Sequence, residues 1–412
     1  MKYGCIGERL KHSFSKEIHN ALADYDYELY EVARDNLEAF ATAGDFLAIN
    51  VTIPYKEQIM PYLYSIDDHA AAIGAVNTVV NRDGRLYGYN TDFFGMQMLA
   101  RHAGISLSGS KVVILGTGGT SKTAYAVAHA EGAREVIRVS RSGREDSVTY
   151  EELYRDHADA EIIINTTPVG MFPDITGTPV DISKFPHLHG ALDAVYNPLR
   201  TPFISEAMRR GIPAEGGLYM LVAQAVRASE IFLDTKYSSE EIERVYKKIV
   251  ADKENIVLVG MPASGKSTVG KVLAKQLGRR LIDTDSIIVE RAGMPITEIF
   301  EKFGESHFRD LESEAVLEAS AATSAIIATG GGAILRERNV HALKENGRLY
   351  FLDRPLEMLI PTRSRPLSSD RAAIEKRYNE RYSIYTAVAD VRVDARDSIE
   401  CVTEKIIEDF RK

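Results

Sequence analysis

Short strand-like runs alternate with longer stretches of helical periodicity along much of this chain. Between residues 111 and 200, these runs lie at 112–115, 136–139, 161–165 and 191–195. After residue 255 they resume at 256–259, 280–282, 325–328 and 348–352. Strands alternating with helices predict right-handed βαβ units and parallel sheets. The pattern therefore predicts two α/β regions in succession.

Two interruptions of this pattern indicate domain boundaries. The segment 238–253 begins with a Ser, is highly charged, and has apolar residues at helical spacing, including Ile242, Val245 and Ile249. We interpret it as a linker helix that ends one enzyme before another begins near residue 251. The Ser- and Gly-containing segment 106–110 marks a second break, ahead of the run 112–115.

Composition narrows the class of protein. A chain of 412 residues is too long for one ordinary core, and its 45% hydrophobic and 26% charged residues are typical of globular proteins. A net charge of −9 argues against nucleic acid as a partner. Cys5 and Cys401 lack the spacing of a disulfide framework. The N-terminus has no signal-peptide core and no run of 18 apolar residues occurs, so we expect a cytoplasmic protein without membrane attachment.

A phosphate-binding loop follows the run 256–259. Residues 260–268 read Gly-Met-Pro-Ala-Ser-Gly-Lys-Ser-Thr, which matches G-x-x-x-x-G-K-[ST] between a strand and a helix. Backbone N–H groups of such a loop surround phosphates at a helix N-terminus. The predicted ATP contacts are Ala263, Ser264, Gly265, Lys266, Ser267 and Thr268, with the Ser267 hydroxyl also directed to Mg²⁺.

A dinucleotide-binding turn follows the run 112–115. Gly116, Thr117, Gly118, Gly119 and Thr120 fit G-x-G-x-x-G, but Ser121 replaces the third glycine. At the end of the next predicted strand stand Arg141 and Arg144. Cations there suit the 2′-phosphate of NADP(H) better than the bare ribose of NAD, although they are also typical of a solvated loop.

Several polar clusters precede this turn. Hydroxyls such as Ser13 and Ser15 suit a carboxylate, and Asn or Asp side chains suit ring hydroxyls. Lys56 with a carboxylate partner would donate a proton to an alkoxide formed by hydride transfer. Any one cluster alone is as well explained by turns, caps and surface pairs.

Taken together, residues 1–237 closely resemble shikimate dehydrogenase. The matching blocks are His12-Ser-Phe-Ser15, Asn50-Val-Thr-Ile-Pro-Tyr-Lys56, Gly74-Ala-Val-Asn77-Thr, Tyr89-Asn-Thr-Asp92, 116–121, Tyr196-Asn-Pro-Leu and Leu221-Val-Ala-Gln224-Ala. The resemblance implies NADPH reduction of 3-dehydroshikimate, with Lys56 and Asp92 as the acid/base pair. The implied substrate contacts are Ser13, Ser15, Thr52, Lys56, Asn77, Asp92, Tyr196 and Gln224. Ala194 and Gly217 join the glycine turn among the implied NADP contacts.

Charged clusters follow the phosphate loop. Asp283 and Asp285 end the run 280–282, and an extended backbone would direct both carboxylates to the same side. Arginines around a phosphate loop suit phosphoryl transfer, which needs mainly positioning and charge neutralisation. By themselves, Gly330–Gly332 also read as a plain loop and Arg381 as a solvated helix residue.

In their order, these blocks resemble shikimate kinase from residue 255 to about 410. The resemblance implies that Asp285, Arg309, Gly331, Gly332 and Arg381 bind shikimate, that Asp283 lies near Mg²⁺, and that Arg365 on a lid contacts ATP. The segment before Arg365 is shorter than the usual lid, which puts in doubt how fully the site closes and whether Arg363 acts as a second lid arginine.

The resulting expectation is an N-terminal substrate-binding α/β domain, a Rossmann-like NADP domain, and a phosphate-loop kinase α/β domain with a parallel sheet. The expected ranges are 1–100 with 216–237 packing back on it, 101–215, the linker helix 238–253, and 254–412. The two resemblances fall on consecutive reactions, because the hydroxyl made by the first is phosphorylated by the second. Alternatives are NAD and quinate use in the front half, a different small-molecule kinase behind, or one half acting as a nucleotide sensor. The sequence leaves the oligomeric state open.

Overall fold

The computed structural model describes residues 2–8, 10, 13–143, 146–360 and 371–411. The chain divides into two compact units, 1–249 and 250–412, and each unit has its own sheets and apolar core. Arg144, Arg363 and Arg365, on which part of the nucleotide prediction rests, lie outside the described residues, as does His12.

The first sheet of unit 1 is mixed, because parallel βαβ pairs and an antiparallel hairpin share it. Its strands are β1 (Tyr3–Gly7), β2 (Tyr27–Glu31), β3 (Ala48–Val51), β4 (Ser65–Ile66), β5 (Thr78–Arg82) and β6 (Arg85–Tyr89), in the order β2-β1-β3-β5-β6-β4. Its helices are α1 (Ser15–Leu22), α2 (Leu37–Ala43), α3 (Tyr55–Gln58), α4 (Asp68–Ile73) and α5 (Asp92–His102). Asp83 and Gly84 close the β5–β6 hairpin with positive φ, as a two-residue turn of this kind requires.

The second sheet of unit 1 is entirely parallel. Its strands are β7 (Lys111–Leu115), β8 (Glu135–Val139), β9 (Ser147–Val148), β10 (Ile162–Asn165), β11 (Gly190–Asp193) and β12 (Ala214–Glu215), in the order β12-β11-β10-β7-β8-β9. The accompanying helices are α6 (Gly119–Ala130), α7 (Tyr150–Asp156), α8 (Pro202–Arg209), α9 (Leu218–Leu233) and α10 (Ser239–Lys253). This is the doubly wound order, in which successive strands are added in one direction from β7 to β9 and in the opposite direction from β10 to β12, leaving a ligand crevice between β7 and β10.

Unit 2 has a single parallel sheet. Its strands are β13 (Asn255–Val259), β14 (Arg280–Asp283), β15 (Ala325–Ala328), β16 (Gly347–Asp353) and β17 (Val391–Asp394), in the order β14-β15-β13-β16-β17. Its helices are α11 (Lys266–Leu277), α12 (Thr284–Ala292), α13 (Ile296–Ser320), α14 (Glu337–Asn346), α15 (Arg371–Val388) and α16 (Ile399–Phe410). The central strand β13 is fully buried from Ile256 to Val259, as expected for a parallel strand covered on both faces.

The predicted α/β class and the parallel sheets are confirmed. The short strands β9, β12 and β17 were not predicted, because two-residue strands and the charged sequence of β17 carry little apolar signal. The run 191–195 ends as a strand at Asp193, whose carboxylate turns back to accept a hydrogen bond from the Val195 N–H. No helix within the described ranges has both the length and the apolarity to cross a membrane. The functional assignment of each range stays a prediction.

Candidate active sites

The first candidate site of unit 1 is centred on a lysine–carboxylate pair. Lys56, on the short helix α3, donates from Nζ to Oδ2 of Asp92 at 2.6 Å, and Asp92 begins α5. The two side chains are only 15% and 10% exposed. This pair therefore lies in a partly dehydrated position where a proton held on Nζ has a fixed carboxylate beside it.

Neutral hydrogen-bonding groups surround this pair. Asn77 is buried, donates to the Thr91 hydroxyl at 3.0 Å, and accepts from the Thr91 N–H at 2.7 Å. Gln224, on α9, places its Oε1 3.5 Å from Nδ2 of Asn77 and donates to the Leu221 carbonyl at 2.8 Å. The start of β5 and helix α9 thus converge on one polar cluster.

A third element brings hydroxyl groups. Ser13 Oγ donates to Ser15 Oγ at 3.1 Å, immediately before and within the first turn of α1. Tyr196 hydrogen-bonds Ser13, its ring packs on Phe14 with centroids 5.2 Å apart, and burial raises the pKa of its phenol to about 12. Thr52 follows β3 and packs its methyl group against Gly7, where a Cβ would lie 2.7 Å from it.

Two residues beneath the polar cluster were not among the predicted site residues. Asn50 is buried, accepts from the Tyr27 hydroxyl at 2.7 Å and donates to Thr78 at 3.2 Å. Thr91 holds both ends of the Asn77 amide. Both residues lie within the sequence blocks that match the family. Their proximity in sequence to Thr52 and Asp92 was the signal that could have identified them.

The glycine turn after β7 lies at the switch point of the parallel sheet. Gly116 has φ of 111°, and a Cβ there would meet the Thr166 hydroxyl at 2.8 Å. Ser121, which replaces the third glycine, is fully buried and donates to the Gly116 carbonyl at 2.6 Å. The substitution therefore braces the turn with a hydrogen bond.

The same turn lies next to the lysine–carboxylate pair. A Cβ on Gly119 would lie 3.8 Å from Cδ of Lys56, so the start of α6 faces the pair. Gly118 is the residue before α6, with Thr117 and Thr120 on either side of the helix start. At the far side of the crevice lies Gly217, the residue before α9. Its Cα is so close to the Ala194 carbonyl that no side chain would fit there.

Arg141 is exposed two residues beyond the end of β8. This position lies at the carboxyl end of the parallel strands, where the 2′-phosphate of NADP would bind. The neighbouring Arg138 instead lies over the Tyr125 ring, 5.2 Å from its centroid.

Asp193 and Asn165 join the two loops that follow β11 and β10. Asp193 Oδ1 accepts from Asn165 Nδ2 and from the Val195 N–H, both at 2.9 Å, and its Oδ2 accepts from Thr201 at 2.7 Å. Asn165 Oδ1 accepts in turn from the Thr167 N–H at 3.0 Å. Burial nevertheless raises the pKa of Asp193 to about 7, so desolvation outweighs these three donors.

The candidate site of unit 2 begins with the loop 260–265. Gly260, Ala263 and Gly265 have φ of 151°, 66° and 96°, and Lys266 opens α11. Lys266 is buried and its Nζ donates to the carbonyls of Gly260 and Met261 at 2.7 and 3.0 Å. The loop is thus closed around its lysine, with Ser264 and Thr268 on either side of Gly265 and Lys266.

A hydroxyl–carboxylate pair adjoins this loop. Ser267 Oγ donates to Asp283 Oδ2 at 2.8 Å. The described residues contain no group of three or more His, Cys, Asp or Glu side chains placed to hold a metal ion. One carboxylate and one hydroxyl fit Mg²⁺, which takes most of its remaining oxygen ligands from phosphates and water.

The predicted extended arrangement of Asp283 and Asp285 is wrong. Asp283 ends β14 and caps α12, accepting from the N–H groups of Asp285 and Ser286 at 3.0 and 3.4 Å. Asp285 lies in the first turn of that helix, so the two carboxylates diverge. The strong N-cap preference of Asp begins the helix one residue after the strand.

Asp285 and Glu312 both place a carboxylate close to the glycine loop. A Cβ on Gly330 would meet Asp285 Oδ1 at 2.7 Å and Glu312 Oε1 at 2.8 Å. Arg309, on α13, donates to Glu312 at 2.7 Å and to Glu305 at 2.9 Å. Burial alone would lower the pKa of Arg309, but Glu312 and Glu305 outweigh it and raise that pKa.

The glycine loop is bare because side chains approach it from two directions. A Cβ on Gly332 would overlap the Arg309 guanidinium, and one on Gly331 would meet Pro262 at 2.9 Å. Arg381, on α15, is buried and donates to the Gly331 carbonyl at 3.0 Å. Burial, with Arg309 nearby, lowers the pKa of Arg381, so the solvated-helix interpretation of this residue does not hold.

The two units therefore have the features expected of two nucleotide-dependent enzymes: a glycine-turn crevice beside a lysine–carboxylate pair, and a phosphate loop beside a glycine loop that two arginines approach. Comparison with known proteins gives their families. Residues 5–79 match the family model of the shikimate dehydrogenase substrate binding domain, and residues 262–411 match that of shikimate kinase.

Individual relatives agree with the first match. A shikimate dehydrogenase (NADP(+)) of Clostridium beijerinckii is 36% identical over 261 residues, which cover 59% of this chain and 96% of that protein. The crystal structure of shikimate dehydrogenase 1 from Peptoclostridium difficile matches with a TM-score of 0.56 and 36% identity, over 60% of this chain and 98% of that one. Shikimate 5-dehydrogenase from Thermus thermophilus, solved with NADP(H) and shikimate, matches with a TM-score of 0.55 and 27% identity, over 60% and 99% of the two chains. The chain belongs to the shikimate dehydrogenase family and carries a shikimate kinase domain at residues 262–411.

Proposed function

We propose that unit 1 reduces 3-dehydroshikimate to shikimate with NADPH, and that unit 2 transfers the γ-phosphoryl group of ATP to the hydroxyl so formed, giving shikimate 3-phosphate. The observation that supports this proposal best is the presence of both complete polar sets, Lys56–Asp92 beside Gly119 and Arg309–Arg381 beside the phosphate loop.

In unit 1, bound NADPH supplies a hydride to the ketone carbon of the substrate. Lys56 Nζ gives one of its three protons to the oxygen that becomes the alkoxide, and Asp92, which accepts a hydrogen bond at 2.6 Å, keeps the ammonium group oriented. Asn77 and Gln224 would hold ring hydroxyls, and Ser13, Ser15 and Tyr196 would hold the carboxylate; hydrogen bonds already join members of each group. Thr52 completes the set, and Ala194 and Gly217, which pack against each other, would contact NADPH.

In unit 2, Lys266 and the N–H groups at the start of α11 would face the phosphates of ATP. Ser267 and Asp283 would hold the Mg²⁺ that is bound to these phosphates. Arg309 and Arg381 neutralise the carboxylate of shikimate, and Asp285 accepts the proton of the attacking hydroxyl. The N–H groups of Gly331 and Gly332 would donate to shikimate from a loop that has no side chains because Pro262 and Arg309 pack against it.

One incubation tests both reactions. The purified chain is mixed with 3-dehydroshikimate, NADPH, ATP and Mg²⁺, while nicotinamide absorbance and ADP are followed separately. We expect ADP release to rise above background hydrolysis only after NADPH oxidation begins, or at once when shikimate is supplied. NADPH oxidation without ADP in either mixture would assign unit 2 another acceptor, and nucleotide binding without turnover would make that unit a sensor.

A further inference from the structure

Tyr385, a buried tyrosine on α15, contacts both loops of the candidate kinase site. Its hydroxyl lies 2.9 Å from the carbonyl oxygen of Gly260, the first residue of the phosphate loop. It also lies 2.5 Å from the carbonyl oxygen of Gly331, in the glycine loop of the acceptor cleft. One side chain therefore bridges the loop that would hold ATP and the loop that would hold shikimate.

The ring of Tyr385 holds this hydroxyl in place. Tyr385 is 1% exposed and stacks on Phe351 of β16, with centroids 5.0 Å apart and planes 8° apart. Burial raises the pKa of the phenol, so it stays protonated at neutral pH. A phenol has a single proton to donate, so it serves one of the two carbonyls at a time.

Each carbonyl also accepts a hydrogen bond from a cation of its own site. Lys266 Nζ donates to Gly260 at 2.7 Å, and Arg381 Nη1 donates to Gly331 at 3.0 Å. In these two hydrogen bonds, Lys266 contacts only the phosphate loop and Arg381 contacts only the glycine loop. Tyr385 is the side chain whose one hydroxyl reaches both, and so it sets the spacing between them.

We propose that Tyr385 is a positioning residue for phosphoryl transfer, which holds the phosphate loop and the acceptor loop at the separation that the reaction needs. In-line transfer is sensitive to the distance between the phosphorus and the attacking oxygen. Hydrolysis of ATP by water needs the phosphate loop alone. Tyr385 therefore matters for transfer to shikimate and not for hydrolysis. This inference rests on the proposed kinase activity of unit 2.

The test is Tyr385→Phe in the full chain, which removes the hydroxyl and keeps the ring stacked on Phe351. We expect kcat for shikimate phosphorylation to fall about tenfold, the effect of losing one well-placed hydrogen bond that acts in the transition state. ATP hydrolysis in the absence of shikimate, the KM values of both substrates, and ADP affinity by calorimetry should change less than about twofold, because each loop keeps its own cation.

Tyr382→Phe is the matched control. Tyr382 lies one turn earlier on α15, and its hydroxyl contacts Asp353 at 3.2 Å instead of either loop. This variant should phosphorylate shikimate at the wild-type rate. NADPH-dependent reduction by unit 1 measures the amount of chain in the same preparations, and ADP affinity reports whether unit 2 is folded.

Two results would overturn the inference. One is phosphorylation of shikimate by Tyr385→Phe at the wild-type rate. The other is an equal fall in phosphorylation and hydrolysis, including a fall caused by loss of folding, which would make Tyr385 a purely structural residue. Failure of the wild-type chain to phosphorylate shikimate would instead contradict the proposed function of unit 2.

Discussion

The two candidate clefts offer the same small acid very different chemical groups. In unit 1 the proposed substrate contacts are mostly neutral hydroxyls and amides, and the one charged pair, Lys56 and Asp92, is internally balanced. In unit 2 the contacts are charged and largely buried: Asp285 faces Gly330, and Arg309 and Arg381 approach the same glycine loop. Neutral groups recognise shape and hydrogen-bond direction, whereas buried guanidinium groups add a strong but costly attraction for a carboxylate.

This difference follows from the two reactions. Hydride transfer to a ketone changes the charge of the reacting oxygen by one unit, which a single lysine proton compensates. Phosphoryl transfer spreads several negative charges over ATP and the acceptor, so positive groups must surround them. The same arginines can also hold the substrate carboxylate, although Glu312 and Glu305 already pair with Arg309.

The largest expected effect separates the two clefts. Lys56→Ala should lower NADPH-dependent reduction by about 10²–10⁴-fold, the usual contribution of a positioned proton donor, and leave phosphorylation of added shikimate intact. Lys266→Ala should lower phosphorylation by about 10²–10³-fold, because a donor to the transferring phosphates is lost, and leave reduction intact. Steady-state assays of both reactions on each variant are the measurement. Loss of both reactions in a folded single variant would contradict independent sites.

The next effect concerns the cofactor at the first cleft. Arg141→Asp should raise the KM for NADPH about tenfold or more, because a charge-assisted contact to the 2′-phosphate is replaced by repulsion. The KM for NADH should not rise. Arg134→Ala is the control, since Arg134 is an exposed arginine before β8 that pairs with Glu161 at 2.9 Å. An equal response to both variants would make Arg141 an ordinary surface charge.

A smaller effect compares two buried carboxyls, one in each unit. Burial raises the pKa of Glu345 to about 8 and that of Asp193 to about 7. Asp193 has three donors, whereas Oε2 of Glu345 has no hydrogen-bond partner among the described residues. Because the pKa of each carboxyl is higher in the folded than in the unfolded state, each group lowers the free energy of unfolding as the pH rises from its unfolded-state pKa to its folded-state pKa.

Glu345→Gln should therefore stabilise unit 2 by about 1–2 kcal/mol at pH 8, with the gain vanishing near pH 4.5, because the cost of ionising an unpartnered buried carboxyl is removed. Asp193→Asn should destabilise unit 1 by a similar amount at pH 5, because an amide N–H₂ replaces one accepting oxygen. Urea midpoints followed by each unit's own activity give the two values. A stabilising Asp193→Asn would show that its three donors contribute little.

The smallest expected effect is the change in the KM for shikimate with salt concentration. Raising KCl from about 0.05 to 0.5 M at saturating nucleotide should raise the KM for shikimate of the kinase reaction about two- to threefold, since ionic screening weakens its charged contacts. The KM for shikimate in the reverse dehydrogenase reaction should change much less. An equal response would mean that charged contacts hold the carboxylate as strongly in unit 1 as in unit 2.

Sequence reasoning recovered features that depend on local pattern. The phosphate loop after β13 and the glycine turn after β7 were predictable because a buried strand must stop at a turn that only small residues can form. Parallel sheets followed from the alternation of strands and helices. The family resemblance added side chains such as Gln224, whose distance in sequence from Asn77 hides their proximity.

What the sequence did not indicate depends on tertiary packing. Within 371–388, no local pattern distinguishes the buried Tyr385 from the exposed charges of the same helix, and the buried Arg381 was indicated only by the family resemblance. Asp285 was placed on a strand because a carboxylate following an apolar run resembles a strand end. The competing N-cap role of Asp283 was not weighed, and it moves Asp285 onto a helix.

The close fit of α9 determines where this fusion can be cut. Gly95 of α5 allows the backbone of α9 to approach, since a Cβ there would lie 2.7 Å from the Met220 carbonyl, and Gly217 seats the start of α9 against Ala194. A separately expressed reductase must therefore extend at least through Leu233. A shorter fragment would expose the apolar face of α5 to water and tend to precipitate, whatever residues remain in its cleft.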